Sequence, residues 1–266
     1  MNRIARIASA VALVTLAPAT NQAASAQGKT PANGMEVLER MRKRYEGKWY
    51  RTLTFSQKTT MAGRNGGPPR EETWHESLLF REPAGGMLRI DNGDPANGNG
   101  SVSTADSTWI VRAGKLSASR GEGNPFIPLI ENVYLQPASL TALQIAPLNF
   151  DMSRVVDGTW RSRPVWIVGA SSASDTTSPQ FWIDTDRLVL VRMFIGTAAN
   201  RPPLDIQLDN LVETGGGWLA TKVVMYSGGA PRQTEEYYDW KTKGKLDEGL
   251  FHPGTWSTAQ HWVKKP

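Results

Sequence analysis

The stretch that most constrains the fold is a predicted β-hairpin over residues 180–196, QFWIDTDRLVLVRMFIG. Residues 181–183 and 188–195 are rich in aromatic and branched side chains, which favour strands, whereas residues 184–187 are short and polar and favour a tight turn. Both arms are apolar at successive positions, which is typical of strands buried on both faces. The hairpin is therefore predicted to lie in the middle of a sheet that is covered on at least one side.

Strand and turn signals recur on both sides of this hairpin, at intervals of roughly 8 to 15 residues. The first begins at Lys48, where the period of the apolar residues changes to two and Trp49, Leu53 and Phe55 share one parity. Counted along the chain, these signals predict about a dozen strands in one antiparallel sheet.

Two segments have helical periodicity instead. Residues 35–46 place Leu38, Met41 and Tyr45 on one face, after Asn33 as a candidate N-terminal cap. Residues 136–147 are mostly apolar and have prolines at both ends. The predicted fold class is therefore mainly β (α+β), with a single antiparallel sheet curved around these two segments.

Residues 1–26 have the pattern of a cleaved secretory signal. Arg3 and Arg6 precede a short apolar stretch over residues 7–19, and residues 24–26, Ala-Ser-Ala, fit the A-x-A cleavage pattern. The apolar stretch is shorter than the ~20 residues that span a bilayer. An exported chain is therefore predicted.

The mature chain is expected to begin near Gln27 and to be soluble and periplasmic, with a linker over residues 27–34 and a single domain over residues 35–266. Removing residues 1–26 lowers the formal charge from +5 to +3, because that segment contains two arginines and no acidic residue. The nearly neutral remainder has no basic block, so no nucleic-acid partner is predicted. Cysteine is absent, which excludes disulfides and a lipid-anchored cysteine.

Local motifs for catalysis or metal binding are missing from the sequence. His75, His252 and His261 lie far apart, without the short spacing of a metal site. Asp184 and Asp186 are interpreted as turn formers rather than as a catalytic pair. No nucleophile elbow, phosphate-binding loop or dinucleotide motif occurs, so no catalytic residue, metal or cofactor is predicted, and the protein is predicted not to be an enzyme.

Bulky aromatic residues recur in the predicted strands, in numbers that a thin sheet cannot bury unless helices or a cavity receive them. A curved sheet lined by aromatic side chains and closed by an apolar helix predicts a hydrophobic pocket. The strand residues whose parity points inward are predicted to form the wall of this pocket. The helical segment at 136–147 is predicted to form its lid. The predicted wall residues are Leu53, Phe55, Trp74, Leu78, Trp109, Trp182 and Phe194, and the predicted lid residues are Leu140, Leu143 and Ile145.

The order of several motifs resembles the LolA/LolB superfamily of periplasmic lipoprotein carriers, the outer-membrane lipoprotein-sorting proteins. The resemblance extends over residues 35–256. The motifs are the amphipathic helix MEVLERMRKRYEG, the strand end F-S-Q at 55–57, E-P at 82–83, M-L-R-I-D at 87–91, TWIVRAGK at 108–115, FWIDTDRL at 181–188 and L-F-H-P at 250–253.

This resemblance implies an incomplete β-barrel, a highly curved sheet with helices packed inside as a lid, whose apolar inner face takes acyl chains. It implies a periplasmic carrier or binding protein for a lipid or lipidated polypeptide. The expected partners are a lipid or an acylated protein, with a donor or acceptor protein at the inner or outer membrane, and a monomer is expected. The absence of cysteine excludes the lipid-anchored LolB type.

Two other functions remain open. An envelope regulatory or scaffold module that binds a protein partner would have a filled barrel and an exposed apolar patch. A hydrolase would have a polar pocket with converging carboxylates or a Ser–His pair. An apolar pocket without these groups would favour the carrier.

Overall fold

The structure is a computed structural model that describes residues 29–63, 66–196 and 202–263. The predicted signal at residues 1–26 lies outside the described residues, so export and cleavage stay predictions. None of the helices in the described ranges is long and apolar enough to cross a membrane.

Thirteen strands in the described residues form one antiparallel sheet in the order β6-β5-β4-β3-β2-β1-β13-β12-β11-β10-β9-β8-β7. Strands β6 and β7 form the two edges and are not paired with each other, so the sheet is open and the prediction of a mainly β, incomplete barrel is confirmed. The strands are β1 Thr52–Met61, β2 Arg70–Arg81, β3 Gly85–Asn92, β4 Gly100–Ser103, β5 Thr108–Arg112, β6 Lys115–Arg120, β7 Val155–Trp160, β8 Arg163–Val168, β9 Gln180–Asp184, β10 Val189–Ile195, β11 Leu204–Thr214, β12 Gly217–Ser227 and β13 Ala230–Lys241.

The predicted hairpin consists of β9 and β10, but its place in the sheet differs from the prediction. The centre of the sheet is the pair formed by β1 and β13, the first and last strands. The two halves of the chain build outward from this pair, and β9 lies third from the β7 edge. Both faces of β9 are buried, as the apolar arms predicted.

Three short helices accompany the sheet: α1 Gly34–Tyr45, α2 Val133–Leu135 and α3 Ala138–Ile145. Helix α1 confirms the predicted amphipathic helix. The Asn33 side chain accepts a hydrogen bond from the backbone N–H of Glu36 at 3.0 Å, which satisfies a free donor of the first turn. Leu38 and Met41 are completely buried in the main core, and Gly47 follows the helix in the left-handed conformation.

A π-helical turn, Pro128–Asn132, runs directly into α2. We call residues 124–135 the plug segment. Its Asn132 side chain accepts a hydrogen bond from the backbone N–H of Gly86 on β3 at 2.7 Å. A Cβ atom at Gly86 would lie 2.7 Å from Asn132 Oδ1 and 2.9 Å from Ile127 Cγ2, so glycine favours this close approach of strand and plug.

The carboxyl-terminal residues cover the opposite face of the sheet from the plug segment. Two 3₁₀ turns, Glu248–Phe251 and Pro253–Thr255, contact β3, β5 and β6, and Trp262 after them donates a hydrogen bond to Ser77 of β2. A second apolar cluster forms there around Phe251, Trp256 and Val102. Both faces of the sheet are therefore covered over β3, β4 and the second half of β2, whereas β6 at the edge is exposed.

Candidate functional site

A cavity of about 210 Å³ lies between the concave face of the sheet and the plug segment. Its walls are apolar and aromatic side chains of β1–β3, β10–β13 and the residues that precede β1. The plug segment closes one side with Phe126, Ile130 and Tyr134. The polar residues that line the cavity are Asn124 and Glu131 of the plug segment and Glu76, Gln233 and Glu235 of the sheet.

Four of the ten predicted pocket residues line this cavity: Leu53 and Phe55 of β1, and Trp74 and Leu78 of β2. The alternation of side chains along a strand places these positions on one face, and the antiparallel pairing of β1 with β2 keeps the two pairs side by side. Whether these residues bind a ligand stays a prediction.

Trp182 and Phe194 lie on the other face of the sheet, which corrects their expected position in the wall. The pairing of β9 with β10 shifts by one residue between Leu190 and Arg192. Such a bulge reverses which side chains point inward, so Leu190 lines the cavity whereas Phe194 does not. The rings of Trp182 and Phe194 instead pack against the guanidinium group of Arg192, 4.8 and 4.5 Å from their centroids.

Trp109 is also outside the cavity. It pairs with Val102 across β4 and β5 and packs on the cluster beneath the carboxyl-terminal residues. Periodicity indicates that one face of β5 is buried, but it does not indicate which face. The cover that the carboxyl-terminal residues provide was not foreseen from the sequence.

Helix α3 confirms the helix expected over residues 136–147 but does not form the lid. Leu143 is 71% exposed and Leu140 is also exposed, whereas Ile145 is buried in the core without reaching the cavity. The plug segment closes the cavity instead. Its apolar residues at 126, 127, 130, 133 and 134 have helical spacing, a signal that the flanking prolines at 125 and 128 obscured.

Glu76 and Glu235 bring two carboxyl groups to the concave face. Glu235 accepts hydrogen bonds from Gln233 Nε2 at 2.6 Å and from the Tyr237 hydroxyl at 2.8 Å. Glu76 makes no hydrogen bond with any residue in the described ranges, although it is only 6% exposed. Burial, reinforced by the charge of Glu235, raises the pKa of Glu76 well above its ordinary value. Burial also raises the pKa of Glu235.

Glu131 is the third carboxyl group of the cavity and belongs to the plug segment. Its Oε2 accepts a hydrogen bond from Trp49 Nε1 at 3.1 Å, and its Oε1 has no hydrogen-bond partner among the described residues. Burial raises the pKa of Glu131 well above its ordinary value, and the Trp49 hydrogen bond only partly opposes this shift. A buried carboxyl group of this kind can be found in the sequence as an acidic residue at a position where the strand or helix period calls for an apolar one. Glu76 in W-x-E-x-L at 74–78 is an example.

We expect the substitution Glu76→Gln to make the stability of the protein less sensitive to alkaline pH. Because the pKa of Glu76 is raised on folding, the folded state holds a proton that the unfolded state has released at neutral pH. The wild-type free energy of unfolding therefore decreases as the pH rises above the ordinary glutamate range. The neutral amide removes this contribution, so the variant should gain stability relative to wild type between about pH 5 and about pH 8 in urea titrations.

Glu236→Gln is the matched control, since Glu236 is on the same strand as Glu235 but its side chain is 53% exposed beside Lys222. The control should leave the pH dependence unchanged. A Glu76→Gln variant whose stability changes with pH in parallel with that of wild type would contradict the assignment of a buried proton to Glu76.

A Ser–His pair is present, but on the opposite face of the sheet from the cavity. Ser56 Oγ and His75 Nδ1 are 2.9 Å apart across β1 and β2, and the ring of Trp262 packs edge-on against His75. Ser56 is 6% exposed, so its hydroxyl group is not accessible to a substrate. This pair does not support the hydrolase alternative. No group of His, Cys, Asp and Glu that could hold a metal ion occurs within the described ranges.

Comparison with protein-family models found no match, and neither did comparison with curated protein sequences. Solved structures are similar in fold. A DUF1329 family protein from Desulfovibrio piger has a TM-score of 0.56 and 12% identity, covering 82% of this chain and 95% of that one. A domain named as a candidate outer membrane lipoprotein-sorting protein from Vibrio parahaemolyticus has a TM-score of 0.59 and 15% identity, covering 84% and 98%.

A LolA superfamily protein from Nitrosomonas europaea has a TM-score of 0.48 and 10% identity, covering 80% of this chain and 96% of that one. The likenesses to the first two structures concern the fold, because the sequence identities are low. The resemblance seen in the order of the sequence motifs is confirmed at the level of the fold, which this chain shares with the DUF1329 family protein and the lipoprotein-sorting domain.

Proposed function

We propose that this chain, with its LolA-like fold, is a periplasmic carrier or binding protein that holds a lipid or the lipid moiety of a lipidated polypeptide in the cavity under the plug segment. The single observation that supports this most is the cavity itself, an unfilled space of about 210 Å³ with mainly apolar walls. A carrier needs such a space, whereas a module that only binds a protein partner can have a filled barrel.

The energetics favour an acyl or alkyl chain as the ligand. Burying such a chain contributes about 0.8 kcal/mol per methylene group, so several methylene groups offset the cost of ordering the ligand. Leu53, Phe55 and Leu78 provide the apolar surface on the sheet, and Phe126 and Ile130 provide it on the plug segment. The plug segment is not a strand of the sheet, so a displacement that admits a ligand would break no strand pairing.

We propose that the protein acts without catalysis and as a monomer. The carboxyl groups in the cavity lie among apolar side chains, and the one Ser–His pair noted above is covered. A donor or acceptor protein at the inner or outer membrane would complete the transfer. The exposed Leu140 and Leu143 on α3 favour the alternative function, a regulatory or scaffold module that binds a protein partner.

The test is native mass spectrometry and lipid extraction of the full chain purified from its own envelope, compared with an Ala220→Phe variant. Ala220 lines the cavity, so the larger ring should fill it and lower the amount of bound lipid severalfold. Unfolding in urea should show that the variant remains folded.

Leu143→Glu is the control, because Leu143 is exposed and does not line the cavity, and it should carry as much lipid as wild type. A wild-type protein that carries no lipid and binds none in vitro would rule out the carrier, and the partner-binding module would then be the better account. Equal loading of wild type and Ala220→Phe would place the lipid outside this cavity.

A further inference from the structure

The polar side of the cavity is acidic. Three of its five polar lining residues are glutamates, and no lysine, arginine or histidine lines it among the described residues. A ligand with a carboxylate or phosphate inside the cavity would therefore meet like charges and no cation. The burial cost of that anion would be uncompensated.

The unpartnered Glu76 side chain lies in the middle of this face. It stands opposite Phe55 of β1 and Ile90 of β3, two residues that also line the cavity. Its carboxyl group lines the cavity and has no hydrogen-bond partner among the described residues, so it is available to bond a polar group of a ligand in the cavity. Glu235, which lines the same cavity, already accepts two hydrogen bonds and can accept another.

Aromatic rings surround these carboxyl groups. Phe55 and Tyr237 stack with their centroids 4.2 Å apart, and Trp74 lines the cavity two positions before Glu76 on the same strand. Carboxylates together with aromatic faces attract a cationic ammonium group, through charge-assisted hydrogen bonds and through the ring quadrupoles. An anionic head group would find no comparable partner among these carboxylates and rings.

We propose that the cavity selects ligands whose apolar chain carries a basic amine, with the ammonium group bound by the Glu76 and Glu235 carboxylates and the chain packed on the apolar walls. This proposal rests on the proposed function, since it names the class of lipid that the carrier holds. Neither the signal segment nor the exposed residues of α3 are part of it.

Binding of an ammonium group should release protons. The empty cavity favours protonated carboxyl groups, because burial raises the pKa of Glu76 and of Glu235. Among the described residues, the other titratable groups that line the cavity are Glu131 on the plug segment and the three tyrosines Tyr50, Tyr134 and Tyr237. Burial raises the pKa of each tyrosine well above its ordinary value. An alkylamine has a pKa of about 10.4 like that of lysine and stays charged, so its affinity should increase with pH.

The experiment titrates the full-length mature protein with laurylamine, lauryl alcohol and lauric acid, which share one chain and differ in the head group. Calorimetry or the fluorescence of the cavity tryptophans reports binding. We expect laurylamine to bind at least about tenfold more tightly than the alcohol at about pH 8, and lauric acid to bind most weakly. Between about pH 6 and about pH 8 the affinity for the amine should rise while the affinity for the alcohol stays constant.

The double variant Glu76→Gln/Glu235→Gln tests the assigned residues. The measured quantity is the ratio of the amine affinity to the alcohol affinity, which should fall to within about threefold of one. Glu236→Gln is the matched control on the exposed face of β13 and should keep the wild-type ratio. A double variant that keeps the wild-type ratio would overturn the assignment, and the comparison of ligands on the wild-type protein does not depend on the folding of any variant.

The results separate this proposal from the proposed function. If alcohol or acid binds as tightly as the amine at both pH values, amine selection is wrong while the carrier function stands. If none of the three ligands binds, the carrier function itself fails.

An amino-lipid and the free amino terminus of a lipidated polypeptide both supply an amine beside an apolar chain. An S-alkylated cysteinyl peptide, compared with its N-acetylated form, distinguishes the two sources. Tighter binding of the free form supports amine recognition at a peptide terminus. Equal binding of the two forms, together with selection of laurylamine, supports recognition of a simple amino-lipid.

Discussion

Replacing Arg89 with alanine is expected to lower the free energy of unfolding by about 3–5 kcal/mol, the cost of leaving a buried charge without its partner. Arg89 is 2% exposed, and its Nε and Nη2 donate hydrogen bonds to Asp91 at 2.8 and 2.7 Å. Its guanidinium group also lies 3.6 Å from the ring centroid of Trp256. The substitution therefore removes the arginine partner of Asp91, leaving it the hydrogen bond with His261, and also loosens the carboxyl-terminal cover.

Urea titration of wild type, Arg89→Ala and Arg51→Ala provides the measurement. Arg51→Ala is the matched control, because its ion pair with Glu82 has side-chain exposures of 55% and 70% and should contribute less than about 1 kcal/mol. A loss for Arg89→Ala as small as that for Arg51→Ala would show that the buried pair does not hold the carboxyl-terminal residues in place.

The contribution of the Arg89–Asp91 pair to the free energy of unfolding should also decrease in acid. Burial opposes ionisation of Asp91, but the hydrogen bonds from His261 and Arg89 prevail and hold its pKa below the ordinary value. A lowered pKa means that the contribution to stability is present above the ordinary aspartate pKa and is lost as the pH falls through the folded-state pKa. The difference between wild type and Arg89→Ala should therefore become smaller in acid.

Replacing Trp49 with alanine is the second substitution with a large expected effect, a loss of about 3–5 kcal/mol in the free energy of unfolding. The indole stacks on Tyr134 with centroids 3.6 Å apart, and the rings of Tyr45 and Tyr50 lie 4.9 and 5.1 Å away. It also donates the hydrogen bond to Glu131. Its removal would leave a cavity and would detach the plug segment from the residues that precede β1.

Trp49→Phe separates these two contributions. A phenyl ring keeps much of the stacking but cannot donate a hydrogen bond to Glu131, so a loss of about 1–3 kcal/mol is expected from the unsatisfied carboxyl group. Trp240→Ala is the control, because Trp240 is 36% exposed on β13, and its loss should be about 0.5 kcal/mol. Equal losses for Trp49→Ala and Trp240→Ala would contradict the role of Trp49 in holding the plug segment.

The local elements of this protein could be predicted from the sequence because their signals are local. The turn between β9 and β10 follows from the short polar residues at 184–187, and Asp184 accepts hydrogen bonds from the backbone N–H groups of Asp186 and Arg187 there. The start of α1 follows from Asn33 and its end from Gly47. The period of two along β1 and β2 identified Leu53, Phe55, Trp74 and Leu78 as a set that shares one face.

The parts that sequence reasoning missed depend on pairing between distant segments. The one-residue bulge in β10 reversed the expected direction of Phe194, and nothing in the local pattern of β10 indicates a bulge. The direction of Trp182 depends on the register in which β9 pairs with β10, which the local pattern of β9 does not contain. The carboxyl-terminal residues determine which face of β5 holds Trp109. The prolines around the plug segment concealed its helical spacing, and the lid was therefore assigned to α3.

The sequence by itself thus determined the strands, the amphipathic helix and the LolA-like order of motifs, since propensity, capping and periodicity act over a few neighbouring residues. Only the tertiary structure decided that the cavity is closed by the plug segment and that Glu76, Glu131 and Glu235 line it. These glutamates come from separate elements of the chain. They become buried among apolar side chains only when the sheet curves around the plug segment, and this burial raises the pKa of each.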